Sequence, residues 1–247
     1  MLDAMSSRRI PVPTLIFDLD ATLVDSEPNY YEAARRLLER YGAPGFTWEH
    51  HTRFIGIGVR ETLAALRAEY GIEAPVDELV ADQDALYLEL ARSSTEVFPE
   101  MRKFVERLRQ EGVGMAVASG SSRAAIEAVL SGTGLDAYLT TYVSADEVTH
   151  GKPEPDVFLE AARRLGAAPA GCVVVEDAAA GAAAAHAAGM RCIAIPYVAA
   201  TACDPAFTAA GLLFAGGQSE FTAQAAYDWL FPGAGRRPAP VRRVPSS

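Results

Sequence analysis

The stretch PTLIFDLD, Pro13 to Asp20, decides the fold. It is a short apolar run that ends in the acids Asp18 and Asp20. A run of this kind reads as a strand buried on both faces, with the acids at the end that opens to solvent. The same plan returns downstream. GVGMAVASG (112–120) reads as a strand ending in small polar residues, YLTTYV (138–143) as a short strand, CVVVED (172–177) as a strand ending in acids, and RCIAIPYV (191–198) as a further strand. Amphipathic helical segments separate them: MRKFVERLRQEG, SRAAIEAVLSGTG, PDVFLEAARRLG and the alanine-rich GAAAAHAAGM. Repeated strand–helix units predict a parallel sheet covered by helices on both faces. Right-handed crossovers then bring every strand's carboxyl end to one rim, where such sheets bind ligands.

Between Glu27 and Glu96 the period changes. YYEAARRLLERYG, VRETLAALRAEYG and VDELVADQDALYLELARSS repeat apolar residues at helical spacing, and no strand pattern interrupts them. Gly42 and Gly71 stand where helices would end, with Pro44 and Pro75 following. The expected architecture is α/β, a Rossmann-like parallel sheet with an inserted all-helical cap. The core takes 10–26 and 97–232, the cap 27–96, and 233–247, rich in proline and arginine, is a disordered tail. Hinges are expected near Ser26–Pro28 and Glu96–Pro99.

Composition narrows the partners. The chain of 247 residues is 50% hydrophobic and 22% charged, enough for a sizeable core. Its net charge of −10 argues against nucleic acid and anionic membranes as partners. No apolar run reaches the roughly 20 residues of a membrane helix, and the start MLDAMSSRRI lacks a secretion-signal pattern. Three cysteines at irregular spacing make neither a disulfide framework nor a zinc pattern, which points to the cytoplasm. A monomer is the default expectation. Only two lysines occur, Lys103 and Lys152, in a chain whose other basic residues are arginine; Lys152, in the loop HGKPEPD, is the one that stands beside the strand ends.

The rim collects Asp18, Asp20 and Thr22 from the first strand, Ser119 and Gly120 from the second, Lys152 from the loop after the third, and Glu176 and Asp177 from the fourth. Acids gathered without counter-charge repel one another, and a divalent cation with oxygen ligands relieves this. Few protein ligands and room for water and phosphate point to Mg2+.

DxDxT, then Ser, then Lys in GKPxPD, then ED followed by AAxxAGM, in that order, resembles the four motifs of the haloacid dehalogenase-like superfamily. The resemblance runs from about Thr14 to Val198 and is closest to the beta-phosphoglucomutase-like and phosphoglycolate-phosphatase-like members. It implies a Rossmann-like core, a helical cap after the first motif and a phosphatase acting on a small phosphorylated metabolite. Asp18 would be the nucleophile that forms an aspartyl-phosphate, and Asp20 the acid and then the base. Lys152 would balance the acids. Mg2+ would be held by Asp18, the carbonyl of Asp20 and Asp177, with Glu176 nearby or as a further ligand. Ser119 and Gly120 would bind the phosphoryl oxygens and Thr22 would orient Asp20. Arg60, in FIGIGVRETL, falls where relatives place a cap arginine facing substrate.

This chain departs from the pattern in two places: Ala21 replaces the usual glycine, and Ala178 replaces a frequent serine. Asp20 favours phosphoryl transfer over carbon–halogen cleavage, since halide leaves without a proton. A cap without lysine disfavours Schiff-base chemistry on phosphonates. A sugar-phosphate mutase remains an alternative, although Tyr30 stands where the mutase pattern has a cap histidine. A non-catalytic binding protein on the same fold is the other. His50 and His51 read as a solvated pair, and Trp48 and Phe54 as cap core.

Overall fold

The computed structural model describes residues 12–233. The expected tail from residue 234 onward lies outside the described residues. In chain order the elements are β1 (Thr14–Phe17), β2 (Val24–Asp25), α1 (Glu27–Arg40), α2 (Trp48–His51), α3 (Val59–Tyr70), α4 (Val76–Ser94) and β3 (Glu96–Val97). Then follow α5 (Pro99–Gln110), β4 (Met115–Ser119), α6 (Arg123–Thr133), β5 (Tyr142–Ser144), α7 (Asp156–Arg164), β6 (Cys172–Glu176), α8 (Ala179–Ala187), β7 (Arg191–Ala194), α9 (Pro205–Thr208), β8 (Leu212–Leu213) and α10 (Ala223–Leu230).

Six strands form one sheet in the order β5-β4-β1-β6-β7-β8, and every pairing in it is parallel. The strand alternation divides β1 between two cores. Leu15 and Phe17 pack with Met101, Phe104 and Val129 on one face, and Ile16 packs with Phe158, Val174 and Ala182 on the other. Both faces are therefore dry, which is why β1 and β6 read as unbroken apolar runs. β1 lies between β4 and β6, so its carboxyl end is flanked by those of both neighbours.

The strands are shorter than the sequence pattern indicates. Past Phe17 the Leu19 carbonyl accepts from the amides of Leu23 and Val24, so the chain turns over Ala21–Leu23, just after Asp20. The strand expected over 138–143 occupies Tyr142–Ser144 instead. The Leu135 carbonyl accepts from the amides of Tyr138 and Leu139, closing a turn that buries Leu139.

The helical insert α1–α4 leaves and returns through β2 and β3, which pair antiparallel, Val24 opposite Val97 and Asp25 opposite Glu96. Two-residue strands carry no readable period, and this pair was not foreseen. Gly71 and Gly134 end α3 and α6 in the left-handed conformation expected of terminal glycines. α4 packs along α1 and α3, and its far end lies on α6 of the core. A Cβ on Gly132 would come within 3.0 Å of the Ala91 and Arg92 carbonyls, so glycine permits this close approach. None of the described helices is long and apolar enough to cross a membrane.

Candidate active site

The carboxyl ends of β1, β4 and β6 and the 151–152 loop line one cleft with the inner faces of α1, α3 and α4, a cavity of about 370 Å³. Asp18, Asp20, Ser119, Gly120, Lys152, Glu176 and Asp177 all line it. Thr22 stands behind it, fully buried.

Lys152 ties two strand ends together. Its ammonium donates to Asp18 Oδ1 at 2.5 Å and to Glu176 Oε1 at 2.6 Å. Burial works against the charge on Lys152, but Asp18 and Glu176 outweigh it and hold the ammonium more firmly protonated than usual. Glu176 is almost fully buried, and its other oxygen accepts from the Ala178 amide at 2.8 Å. Both of its oxygens are thus engaged. In this structure Glu176 stands in a clamp with Lys152, beside the acids considered for a metal. Space for this carboxylate is made by Gly181, where a Cβ would overlap it. Gly181 was missed as a site residue, although a lone glycine entering a run of alanines is a signal.

Among the described residues, none donates a side-chain hydrogen bond to Asp18 Oδ2; Lys152 is on Oδ1. Asp177 Oδ1 accepts from the Thr22 hydroxyl at 2.7 Å. The sequence reading paired Thr22 with Asp20; the turn after Leu19 directs it to Asp177 instead. Burial pushes both carboxyls up, Asp18 to about 8 against the pull of Lys152, and Asp177 well up, with Glu176 and Asp18 adding to the push. Four acids therefore face one lysine. No cage of three or more His, Cys, Asp or Glu side chains converges among the described residues. The donor set that fits a divalent cation is smaller: the Asp18 and Asp177 carboxylates and the Asp20 carbonyl, with the rest of the sphere left to water and substrate oxygen.

Asp20 is held by groups the sequence did not reveal. Its Oδ1 accepts from the Tyr87 hydroxyl of α4 at 3.0 Å. Its Oδ2 accepts from Ser121 at 2.6 Å and, at the long distance of 3.4 Å, from Ser119. Ser121 spends its one proton on Asp20, so it accepts from the Tyr30 hydroxyl at 3.0 Å. Tyr30 and Tyr87 stack at 4.1 Å between centroids and 18° between planes. Burial first, and then the charge of Asp20, push both phenols up, so they remain donors. Two cap tyrosines and a core serine thus fix the second aspartate.

Ala21 sits at φ 60°, the only described non-glycine residue in the left-handed region. The usual glycine at this position has a physical reason, and alanine carries a strain of about 1–2 kcal/mol. The Gln218 amide braces the turn by donating to the Ala21 and Thr22 carbonyls.

The cap contributes Glu27, Tyr30, His51, Thr62 and Gln83 to the cleft, together with Gly56, Gly58 and apolar side chains. His51 is buried and its Nε2 lies 2.8 Å from Glu27 Oε2. His50 lies 3.1 Å from Glu69 and bonds Tyr70. The histidines are therefore packed against α1 and α3, not solvated as expected. Arg60 is not brought to the cleft. Its guanidinium donates to Asp77 Oδ1 at 2.5 Å, and its side chain is 58% exposed. It stands one residue beyond the part of the loop that lines the site, on the outer face of α3.

A family model for haloacid dehalogenase-like hydrolase matches residues 12–189. The chain is 34% identical over 185 residues to a bifunctional riboflavin kinase/FMN phosphatase of Arabidopsis thaliana, a match covering 74% of this chain and 48% of that protein. It is 34% identical over 181 residues to a phosphorylated carbohydrates phosphatase of Thermotoga maritima, covering 72% of this chain and 82% of the relative. The crystal structure of CbbY from Rhodobacter sphaeroides in complex with phosphate superposes with a TM-score of 0.71 at 23% identity, covering 82% of this chain and 93% of that one. At that identity the likeness shows the fold. The chain belongs to the haloacid dehalogenase-like hydrolases.

Proposed function

We propose that this haloacid dehalogenase-like hydrolase is a phosphatase that removes phosphate from a small phosphorylated metabolite through an aspartyl-phosphate. The single observation that carries the reading is the pairing of Asp18 and Asp20 at one strand end with opposite surroundings. Among the described residues Asp18 Oδ2 accepts no side-chain hydrogen bond while Oδ1 is held by a lysine, whereas Asp20 is hydrogen-bonded through both oxygens. The first suits attack and the second suits proton transfer.

Asp18 Oδ2 attacks phosphorus and the bond to the leaving oxygen breaks. Lys152 holds Oδ1 and so orients the attacking oxygen. Asp20, in its acid form, gives a proton to the leaving oxygen. It then takes a proton from the water that attacks phosphorus in the aspartyl-phosphate, which returns Asp18 as a carboxylate and releases phosphate. The Ser119 hydroxyl and the Gly120 amide stand at the rim to bind the phosphoryl oxygens. Mg2+ would be held by Asp18, Asp177 and the Asp20 carbonyl and would supply neutralisation of phosphoryl charge. The helices of the cap cover the cleft and limit the substrate to a small molecule. Relatives named as phosphatases, one of them for phosphorylated carbohydrates, agree with this class. A mutase is not favoured: Tyr30, at the position of the mutase histidine, is spent on Ser121.

The test is release of inorganic phosphate from a panel of sugar phosphates, phosphoglycolate and nucleoside monophosphates, with Mg2+ and with EDTA. Release that EDTA abolishes is expected. Undiminished release in EDTA overturns the metal assignment, and no release from any compound overturns the phosphatase reading.

A further inference from the structure

The cap half of the cleft is polar without being cationic. Among the described residues, Lys152 is the only lysine or arginine that lines the cavity, and it is committed to Asp18 and Glu176. His51 Nε2 is bonded to the Glu27 carboxylate, so this ring nitrogen is already partnered by an acid. Of the cap arginines, Arg35 and Arg36 are paired with Glu32, Arg60 with Asp77, and Arg67 with the carbonyls of Glu73 and Ala74, while Arg40, Arg53 and Arg92 do not line the cavity. A second phosphate or a carboxylate at this end would face Glu27 and Asp20 with nothing to neutralise it.

Gln83 adds a second, independent observation. It lies on α4, lines the cavity and is 3% exposed. Its Oε1 is buried without a partner, and among the described residues its amide makes no hydrogen bond. A buried amide left unpaired is destabilising, and native structures rarely keep one without a use. A ligand hydroxyl, which both donates and accepts, can pair with the amide once the side chain turns toward it. Thr62 on the same wall offers a hydroxyl, and Phe54 and Val59 supply apolar surface for carbon–hydrogen faces.

We propose that the cap end of the cleft takes an uncharged leaving group bearing several hydroxyls, and that Gln83 and the His51–Glu27 pair read those hydroxyls. The inference rests on the phosphatase reading for the position of the phosphate. It goes further by excluding substrates with a second anionic group and by naming the residues that select against them.

Binding tests it, measured by calorimetry with Mg2+ on the full chain carrying Asp18→Asn, which holds a phosphate ester without transferring it. The probes are sorbitol 6-phosphate, 6-phosphogluconate and inorganic phosphate. The two six-carbon ligands differ only at the far end, an alcohol in one and a carboxylate in the other. Sorbitol 6-phosphate is expected to bind at least about tenfold tighter than 6-phosphogluconate. Adding Gln83→Leu is expected to weaken sorbitol 6-phosphate about tenfold and to leave inorganic phosphate within about twofold. It should also leave the melting temperature equal or higher, because leucine removes an unpaired amide. A glutamine that served only the packing of α4 would instead lower stability and leave the ligand preference intact.

Equal or tighter binding of 6-phosphogluconate overturns the proposal, as does binding of inorganic phosphate with neither six-carbon ligand. A Gln83→Leu protein with unaltered affinity for sorbitol 6-phosphate removes Gln83 from it. The ligand pair needs no change at Gln83, so a Gln83→Leu protein that fails to fold leaves that comparison decisive. Failure of the phosphatase reading shows separately, as no phosphate release by the unaltered chain from any compound of the phosphate-ester panel.

Discussion

The two walls of the cleft are built in different ways. On the core wall each reacting group stands at a strand end or in the loop beyond one: Asp18 and Asp20 after β1, Ser119 closing β4, Glu176 closing β6. On the cap wall Tyr30 comes from α1, His51 from α2, Thr62 from α3, and Gln83 and Tyr87 from α4. Main-chain pairing of parallel strands places the first group, and packing of side chains between helices places the second. The core wall is tied to hydrogen-bonded backbone in register, whereas the cap wall can be re-equipped without disturbing the sheet. On the proposed function chemistry sits on the first wall and selection on the second, and Asp20 bridges the two through Tyr87.

That division can be broken experimentally. The largest effect is expected on the core wall from a residue that touches no substrate. Gly181→Ala would drive a methyl group into Glu176 and unseat Lys152. It should lower kcat/KM by about 100-fold and stability by about 1–3 kcal/mol; near-normal turnover would show that the lysine clamp is dispensable. Tyr87→Phe probes the bridge. It removes one donor to Asp20, and kcat is expected to fall about tenfold with KM unchanged. A rise in KM alone would make Tyr87 a substrate contact. Ala21→Gly relieves the left-handed strain against a more flexible unfolded chain, and a gain of about 0.5–1 kcal/mol should appear in denaturant unfolding. Arg60→Ala is the smallest. Its pairing with Asp77 is solvent-exposed, so activity on every substrate should stay within about twofold. A selective loss for anionic substrates would return Arg60 to the cleft and reassign the cap wall.

Legibility in the sequence follows the same division. Asp18, Asp20, Ser119, Lys152, Glu176 and Asp177 were all named from strand-end position and motif, and all meet in the cleft. Partners were less legible than members. Thr22 was expected on Asp20 and bonds Asp177, because its direction depends on a turn that no local pattern announces. Ser121 lies two residues past Ser119 and was passed over, since serine after a strand reads equally well as a turn. Gly181 could have been flagged by its place at the start of the alanine run. Tyr87 and Gln83 could not: both fall on an amphipathic helix where a buried tyrosine or glutamine looks like ordinary packing. Arg60 was drawn toward the substrate by analogy of position, and the orientation of α3 turns it outward.

By itself the sequence determined the alternation of strand and helix, the helical insert after the first strand, and the acids, serine and lysine at one rim. These follow from local periodicity and from the one-sidedness of parallel crossovers, which need no knowledge of distant contacts. Only the tertiary structure decided which carboxylate each donor serves, that Glu176 bonds Lys152, that Tyr87 directly and Tyr30 through Ser121 hold Asp20, and that among the described residues no cap lysine or arginine lines the cleft. Those outcomes depend on rotations of whole helices about their axes, set by the summed packing of side chains far apart in the chain.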